Sequence, residues 1–218
     1  MIEAKFKLTE ETINVNGKTL YRIEALKDFG DVKKGDKGGF IEKECNLSQS
    51  GDCWVYDNAK VYNNAKVFDY ADIYGNASIF GNAVVSGNAR VYGNAKVYHY
   101  AMVYEDAEVY DNAKVFGNAE IYDNAKVYGN AEVFGNAEVR GNAEIATDAD
   151  YIVFKNWWSS GRYFTWTKNN NMWKVGCFYG TGEELIEKAY RDSNESGKEY
   201  EKIVKYVESM LKDNNAVA

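Results

Sequence analysis

The chain has 218 residues and a formal net charge of −7 at pH 7. This acidic balance argues against a general nucleic-acid-binding protein, which needs a basic surface to displace the counterions of the phosphate backbone. The sequence has no apolar stretch of about 18 residues, and it starts without an apolar signal-peptide core. Its three cysteines match no metal-ligand spacing. We therefore expect a cytoplasmic protein with reduced thiols, no metal, no cofactor and no membrane association.

Residues 1–53 precede a repeat region and are predicted to form a β cap. The stretch "TINVNGKTLYRIEAL" places Asn16 and Gly17 between two alternating segments, which is a strong signal for a hairpin. Cys53 ends this segment and takes the position that alanine takes in the repeats that follow.

Residues 54–150 form a six-residue repeat. Every sixth residue from Val55 to Ile145 is Val or Ile, and every sixth residue from Ala59 to Ala149 is Ala, over sixteen positions each. A period of six does not fit a helix, but it fits a short strand followed by a corner. In "KVYGNA" we expect Val and Ala to point inward, Lys and Tyr to point outward, and Gly-Asn to form the corner, because both types tolerate positive φ.

Three hexads make one triangular coil of 18 residues, so outward residues 18 apart form ladders on three faces. On the first face the residue before each aliphatic alternates in charge sign from Asp72 to Glu144. The third face carries Val84 and Met102 where charges would be expected, next to Ser86 and Tyr104. An outward apolar patch is typical of a contact surface, so these four residues are our candidate oligomer interface. The alternative is that the outer aromatic ladders only stack on one another and cover the strands.

Residues 151–218 are predicted to form an α+β domain. The segments "YIVFKNWW", "RYFTWTK" and "MWKVGCFYG" read as strands. Two helices should follow, with capping boxes formed by Thr181 with Glu184 and by Ser196 with Glu199.

The hexads resemble the hexapeptide-repeat family. That resemblance implies a left-handed parallel β-helix and a homotrimer packed side by side, so the expected fold is mainly β with an N-terminal hairpin cap and a C-terminal α+β unit. With "GDKGGFIEKE" and "GCFYGT" added, the whole layout is similar to a bacteriophage and prophage family. This second resemblance carries no enzymatic role. It implies binding inside the bacterial host, including interference with host defence.

His99 is the only histidine in the chain. Hexapeptide acyltransferases use a histidine as general base, which requires a tuned imidazole and an orienting partner. His99 and Tyr100, however, occupy the Gly and Asn positions of a corner, and no insertion lies nearby. We interpret His99 as a turn residue and expect no catalytic residue, so His99 and Tyr100 become candidates for contact with a ligand or a neighbouring subunit.

The segment "NWWSSGRYFTW" holds the other candidate binding residues. Aromatic faces beside an arginine could stack a base and hold a phosphate, or anchor a protein partner. They could also form a compact aromatic core. The candidates here are Trp157, Trp158, Ser160, Arg162, Tyr163 and Trp166. We therefore expect a non-enzymatic protein that engages a host protein or sequesters a small signalling nucleotide. An acyltransferase and a structural component of a phage particle are the alternatives.

Overall fold

The computed structural model describes residues 4–157 and 161–215, with side chains up to residue 212. The chain divides into two compact units, one ending at Tyr151 and one beginning at Ile152. The first unit therefore contains both the N-terminal cap and the repeats. Among the described residues no helix is long and apolar enough to cross a bilayer.

The N-terminal cap is a hairpin extended by a third strand, which confirms the predicted hairpin. Strands β1 (Phe6–Val15) and β2 (Lys18–Ala25) pair antiparallel. Asn16 and Gly17 join them with φ of 52° and 80°, the two positive values that a tight hairpin turn requires. Strand β3 (Lys37–Ile41) pairs antiparallel with β2 and parallel with the first repeats, so the cap extends one solenoid sheet.

The repeat region is a parallel β-solenoid of sixteen two-residue strands, as predicted. Three sheets form its faces because each strand pairs with the strand three hexads further along. The strands are β4 Trp54–Val55, β5 Lys60–Val61, β6 Lys66–Val67, β7 Asp72–Ile73, β8 Ser78–Ile79, β9 Val84–Val85, β10 Arg90–Val91, β11 Lys96–Val97, β12 Met102–Val103, β13 Glu108–Val109, β14 Lys114–Val115, β15 Glu120–Ile121, β16 Lys126–Val127, β17 Glu132–Val133, β18 Glu138–Val139 and β19 Glu144–Ile145.

We define each of the three faces by the strands of its sheet. The first face contains β4, β7, β10, β13, β16 and β19. The second contains β5, β8, β11, β14 and β17, and the cap extends this one. The third contains β6, β9, β12, β15 and β18. These are the three faces that the 18-residue spacing predicts.

The solenoid interior consists of the aliphatic and alanine ladders. The aliphatic residues from Val55 to Ile145 and the alanines from Ala59 to Ala143 are at most 1% exposed. Alternation of side chains along each short strand puts the aliphatic inside and the preceding residue outside. Burial of these continuous ladders drives the coils to stack.

The outer aromatic residues stack from coil to coil. On the second face ring centroids are 4.8–5.3 Å apart along the series Tyr62, Phe80, Tyr98, Phe116 and Phe134. On the first face the series Tyr74, Tyr92, Tyr110 and Tyr128 has spacings of 4.7–5.1 Å. The rings thus cover the strands, and each stacked pair contributes about 0.5–1.5 kcal/mol beyond its buried area.

The second unit is a four-stranded sheet with two helices. Its strands are β20 (Tyr151–Lys155, whose first residue belongs to the first unit), β21 (Tyr163–Thr167), β22 (Met172–Val175) and β23 (Phe178–Gly180), in that order across the sheet. The segment "MWKVGCFYG", predicted as one strand, forms the two strands β22 and β23, because the chain turns at Gly176 with φ of 54°. Helices α1 (Gly182–Asp192) and α2 (Asn194–Asn215) follow.

One of the two predicted helix capping boxes is present in the structure and the other is not. Thr181 and Glu184 form the predicted capping box of α1. The prediction that Ser196 caps α2 is wrong, because α2 already begins at Asn194 and the hydroxyl of Ser193 accepts a hydrogen bond from Ser196 N, 3.0 Å away. The two helices therefore follow each other with a single residue between them, which the sequence pattern did not reveal.

Candidate functional site

The corner that contains His99 follows the same geometry as its neighbours. This corner joins the second face to the third, and its first residue has φ of 73° at Gly81, 61° at His99 and 75° at Gly117. The left-handed region is sterically costly for residues with a side chain, although histidine is among the more tolerant types. The repeat thus imposes the backbone conformation of His99, as expected for a turn residue.

The imidazole of His99 is exposed and packs edge-on against two rings of the second face. Its centroid lies 4.9 Å from Tyr98 and 6.3 Å from Phe116. In the described part of the chain, no hydrogen bond reaches its nitrogens. General-base catalysis needs a partner that fixes the imidazole tautomer and orientation, whereas this geometry supplies only ring contacts.

Tyr100 interrupts a ladder of asparagines that runs along the same corner. On one side of it Asn64 donates to Asn82 at 3.2 Å, and on the other side Asn118 donates to Asn136 at 3.3 Å. Tyr100 cannot continue these amide bonds and is 64% exposed. The corner between the first and second faces is unbroken by comparison, with bonds linking Asn76, Asn94, Asn112 and Asn130.

The candidate interface on the third face is half-buried in the single chain. Val84, Ser86, Met102 and Tyr104 all retain exposed surface. Val84 and Met102 lie side by side on paired strands. Tyr104 donates a hydrogen bond to Glu120 Oε2 at 3.0 Å, and its ring stacks on Tyr122 at 4.9 Å. The third face thus combines the apolar pair Val84 and Met102 with a tyrosine that is held in place by a carboxylate and a neighbouring ring.

Part of the C-terminal aromatic cluster is at the surface. Trp157 is 84% exposed. The Lys155 ammonium lies 5.8 Å from the ring centroid of Tyr163, within reach of a weak cation–π contact. Arg162 is exposed, and its backbone carbonyl accepts a hydrogen bond from Asn156 N at 2.7 Å. The predicted candidates Trp158 and Ser160 lie outside the described residues.

The remaining member of that cluster, Trp166, is in the core of the second unit. It is 2% exposed and packs with Phe164, Trp173 and Leu185. Its indole N–H donates to Asn171 Oδ1 at 2.9 Å, so its polar atom is satisfied inside the unit. The structure therefore separates Trp166 from the exposed Trp157, although the sequence grouped the two.

Described residues of the second unit line two concave surfaces, one very small and one open. A cavity beside Arg162, lined also by Phe178 and Tyr200, holds about 20 Å³. An open groove of about 580 Å³ runs along α1, where three carboxylates face two cations. Its lining residues are Phe178, Tyr179, Glu184, Glu187, Lys188, Arg191 and Asp192. Among the described residues no three His, Cys, Asp or Glu side chains converge as a metal site would need.

Sequence reasoning missed one buried pair at the start of the solenoid. Lys5, 1% exposed, places its ammonium 3.3 Å from the thiol of Cys53. The signal in the sequence that could have indicated this pair is Cys53, which takes a position that is alanine in the following hexads. Nothing in the local sequence around Lys5 indicates that this lysine is buried.

Comparison with known proteins gives a match confined to the repeats. A sequence model of the YdcK β-solenoid repeat matches residues 89–105, a segment that includes His99 and Tyr100. Over 38 residues the chain is 50% identical to the uncharacterized acetyltransferase YdcK of Escherichia coli (strain K12). The aligned part covers 17% of this chain and 12% of YdcK. Together with the sheet topology, this similarity identifies the chain as a β-solenoid protein built from hexapeptide repeats.

Proposed function

We propose that this chain is a non-enzymatic binding protein whose solenoid is a rigid scaffold and whose second unit presents an aromatic surface to a protein partner. The observation that carries this proposal is Trp157, which is 84% exposed in a unit that buries Trp166 and Trp173 to 2%. Tryptophan is among the residue types most enriched in the hot spots of protein interfaces. An exposed tryptophan also gains free energy when a partner buries it.

Charge and aromatic character around Trp157 support the same reading. Lys155 and Tyr163 lie in the neighbouring strands β20 and β21, and Arg162 directly precedes β21. Tyrosine, tryptophan and arginine together are the residue types enriched at interfaces. The similarity to a phage family makes a host protein the expected partner, and interference with host defence the expected purpose.

The two concave surfaces lined by described residues of the second unit suit a protein partner better than a signalling nucleotide. Small-molecule sites usually enclose roughly 300–1,000 Å³, whereas the cavity beside Arg162 holds about 20 Å³, space for about one water molecule. The larger groove along α1 is lined by more carboxylates than cations, which disfavours a phosphate. A flat partner that covers Trp157 needs no such cavity.

The test is a pull-down from bacterial lysate with the wild-type chain and with Trp157→Ala. Tyr70→Asn is the matched control, because Tyr70 is also a strongly exposed aromatic residue but lies at a solenoid corner where asparagine is the usual residue. We expect one partner, with an affinity weakened at least tenfold by Trp157→Ala and unchanged by Tyr70→Asn. A partner that binds both variants equally, or calorimetric binding of cyclic nucleotides without any protein partner, would contradict the proposal.

The second candidate function is acyl transfer, because the partly similar YdcK is described as an uncharacterized acetyltransferase. It would use His99 as general base, and the matching segment includes this residue. The test measures binding of coenzyme A and acetyl transfer for the wild type and for His99→Gly. Glycine is the usual residue at this corner position, so the variant keeps the fold. Transfer that is lost in His99→Gly supports this candidate, and absence of coenzyme A binding rejects it.

We further propose a homo-oligomer, trimeric as in the hexapeptide family, that buries the third face around Val84 and Met102. Substituting Met102 by Glu, the residue that follows it in the same ladder, should shift the mass measured by light scattering toward the monomer. Arg90→Glu on the first face is the control and should leave the mass unchanged. A monomeric wild-type chain would reject this proposal without affecting the binding function.

A further inference from the structure

The N-terminal end of the solenoid buries an amine against a thiol. Lys5 is 1% exposed and Cys53 is fully buried. The Lys5 ammonium donates hydrogen bonds to the carbonyl oxygens of Gly51 at 3.1 Å and Cys53 at 2.9 Å, and it lies 3.3 Å from Cys53 Sγ. The side-chain nitrogen of Lys5 and an oxidisable sulfur are therefore in contact, although they are 48 residues apart in the sequence.

Cys53 stands at a repeat position where the other hexads fill the interior with a smaller side chain. Alanine takes the equivalent position in all sixteen following hexads. On the other side, Lys5 directly precedes β1, and its backbone N–H donates to Gln49 Oε1 at 2.7 Å. The backbone of the lysine is thus fixed to the same loop that carries the cysteine.

Aromatic rings and backbone carbonyl oxygens surround the pair. The ring of Phe29 lies 5.0 Å from Lys5 Nζ, and Phe29 and Phe6 pack edge-on against the buried Trp54. Burial lowers the pKa of Lys5 and raises the pKa of Cys53. Removal from water favours the neutral amine, which is the nucleophilic form.

We propose that Lys5 and Cys53 are a modification site at which hydrogen peroxide drives a covalent sulfur–nitrogen crosslink, a sulfenamide. In the first step Cys53 sulfur attacks a peroxide oxygen, the O–O bond breaks, and sulfenic acid and water form. In the second step the Lys5 nitrogen attacks that sulfur, the S–O bond breaks, and the hydroxide leaves as water with a proton from the amine. One peroxide is reduced to two waters, and the side-chain pair loses two hydrogen atoms.

The reaction should accelerate as pH rises. Both the thiolate of Cys53 and the neutral amine of Lys5 become more populated in that direction. Besides each other, the charged groups that act on the pair are Asp52 and Lys27 near Lys5 and Asp69 near Cys53. The bond would tie the residue before β1 to the first coil and so restrict the unfolded chain.

The experiment treats the full-length protein with hydrogen peroxide, then blocks free thiols and digests it with a protease that cleaves after glutamate. Mass spectrometry should find the Lys5 and Cys53 peptides joined, lighter by two hydrogen atoms than their sum, and separated again by dithiothreitol. The thermal unfolding midpoint should rise by roughly 5 °C on oxidation.

Two variants provide the controls. Lys5→Arg keeps the positive charge and the donors to carbonyl oxygens but cannot condense, so it should give no crosslink and no rise in the midpoint. Cys53→Ala restores the residue of the other hexads and should fold normally without crosslinking. The exposed thiols of Cys45 and Cys177 report oxidation by peroxide in the same sample. If those are oxidised while Cys53 stays a thiol, or becomes only a sulfinic acid or a disulfide, the proposal is wrong.

Discussion

The hydroxyl of Tyr104 donates a hydrogen bond to Glu120 Oε2, 3.0 Å away on the next coil of the third face. Tyr92 makes the same bond to Glu108 at 3.0 Å on the first face. In both cases the tyrosine directly follows the aliphatic residue of one hexad, and the glutamate directly precedes the aliphatic residue that lies 18 residues later in the sequence. Stacked tyrosines therefore serve as donors for carboxylates of the following coil, and they link coils outside the interior.

Removal of the Tyr104 hydroxyl should destabilise the protein. Tyr104→Phe keeps the ring stack but leaves the half-buried Glu120 carboxylate without this donor, at a cost of about 1–2 kcal/mol in the free energy of unfolding. Tyr110→Phe is the control, because in the described part of the chain the Tyr110 hydroxyl makes no side-chain hydrogen bond. Urea denaturation measures both variants, and equal losses would contradict a role for the hydroxyl bond.

Tyrosine ionisation should destabilise the folded chain at alkaline pH. Burial, with Asp72 nearby, raises the pKa of Tyr56 from 10.0 to about 12, and burial raises the pKa values of Tyr92, Tyr104 and Tyr122 as well. A folded-state pKa above the unfolded value gives stability that is complete below about pH 10 and is lost as pH rises through the folded value.

We therefore expect alkaline unfolding that begins above about pH 10. Circular dichroism and tyrosinate absorbance measured over a pH titration would monitor it. Tyr56→Phe should move the midpoint to higher pH by removing one of the groups that titrate in this window. A midpoint that stays in place in this variant would show that Tyr56 does not contribute to the transition.

Two glycines of one corner test how closely the coils approach. Gly117 and Gly135 have φ of 75° and 73°, so both alanine variants pay the same left-handed strain of about 1 kcal/mol. A Cβ on Gly117 would lie 2.8 Å from Gly135 N, whereas a Cβ on Gly135 would meet nothing within 4 Å.

Gly117→Ala should accordingly lower the free energy of unfolding by roughly 1–3 kcal/mol more than Gly135→Ala. Chemical denaturation of the two variants under the same conditions gives the difference directly. Equal destabilisation would mean that backbone strain, and not contact between coils, explains the preference for glycine here.

The last strand of the second face is covered by side chains that follow the solenoid. Asp148 Oδ1 accepts a hydrogen bond from Glu132 N at 2.7 Å. The Tyr151 hydroxyl accepts from Phe134 N at 3.3 Å and donates to Glu132 O at 2.9 Å. Because open strand edges template aggregation, these contacts protect β17.

Tyr151→Phe should expose this edge. We expect faster amide hydrogen exchange at Phe134, a loss of about 1 kcal/mol in stability and a greater tendency to aggregate. Asp148→Asn is the matched control because its amide oxygen still accepts from Glu132 N. Unchanged exchange at Phe134 in Tyr151→Phe would show that the hydroxyl does not cover the edge.

The regular part of the fold could be predicted because its determinants are local. Alternation along a two-residue strand sets which residues of "KVYGNA" are buried, and the corner needs a residue that accepts positive φ. The period then implies three faces, and the structure reproduces them. Even the exceptional His99 follows this local rule, since its φ of 61° matches that of its neighbours.

Features that depend on contacts between distant residues could not be derived in the same way. Trp157 and Trp166 lie only nine residues apart in the sequence, yet one is exposed and the other is in the core. Strand pairing between β21 and β22 and packing of the helices decide this difference.

The sequence by itself thus determined the solenoid, its three faces and its corners, because the hexad repeats a local steric and hydrophobic rule sixteen times. Only the tertiary structure decided which aromatic residues stay at the surface and which lysine is buried. Lys5 has an ordinary charged side chain in the sequence, and its burial results from the way the cap closes over Gly51 and Cys53. Such placement arises from long-range packing, in which burial of apolar surface outweighs the preference of a single side chain for water.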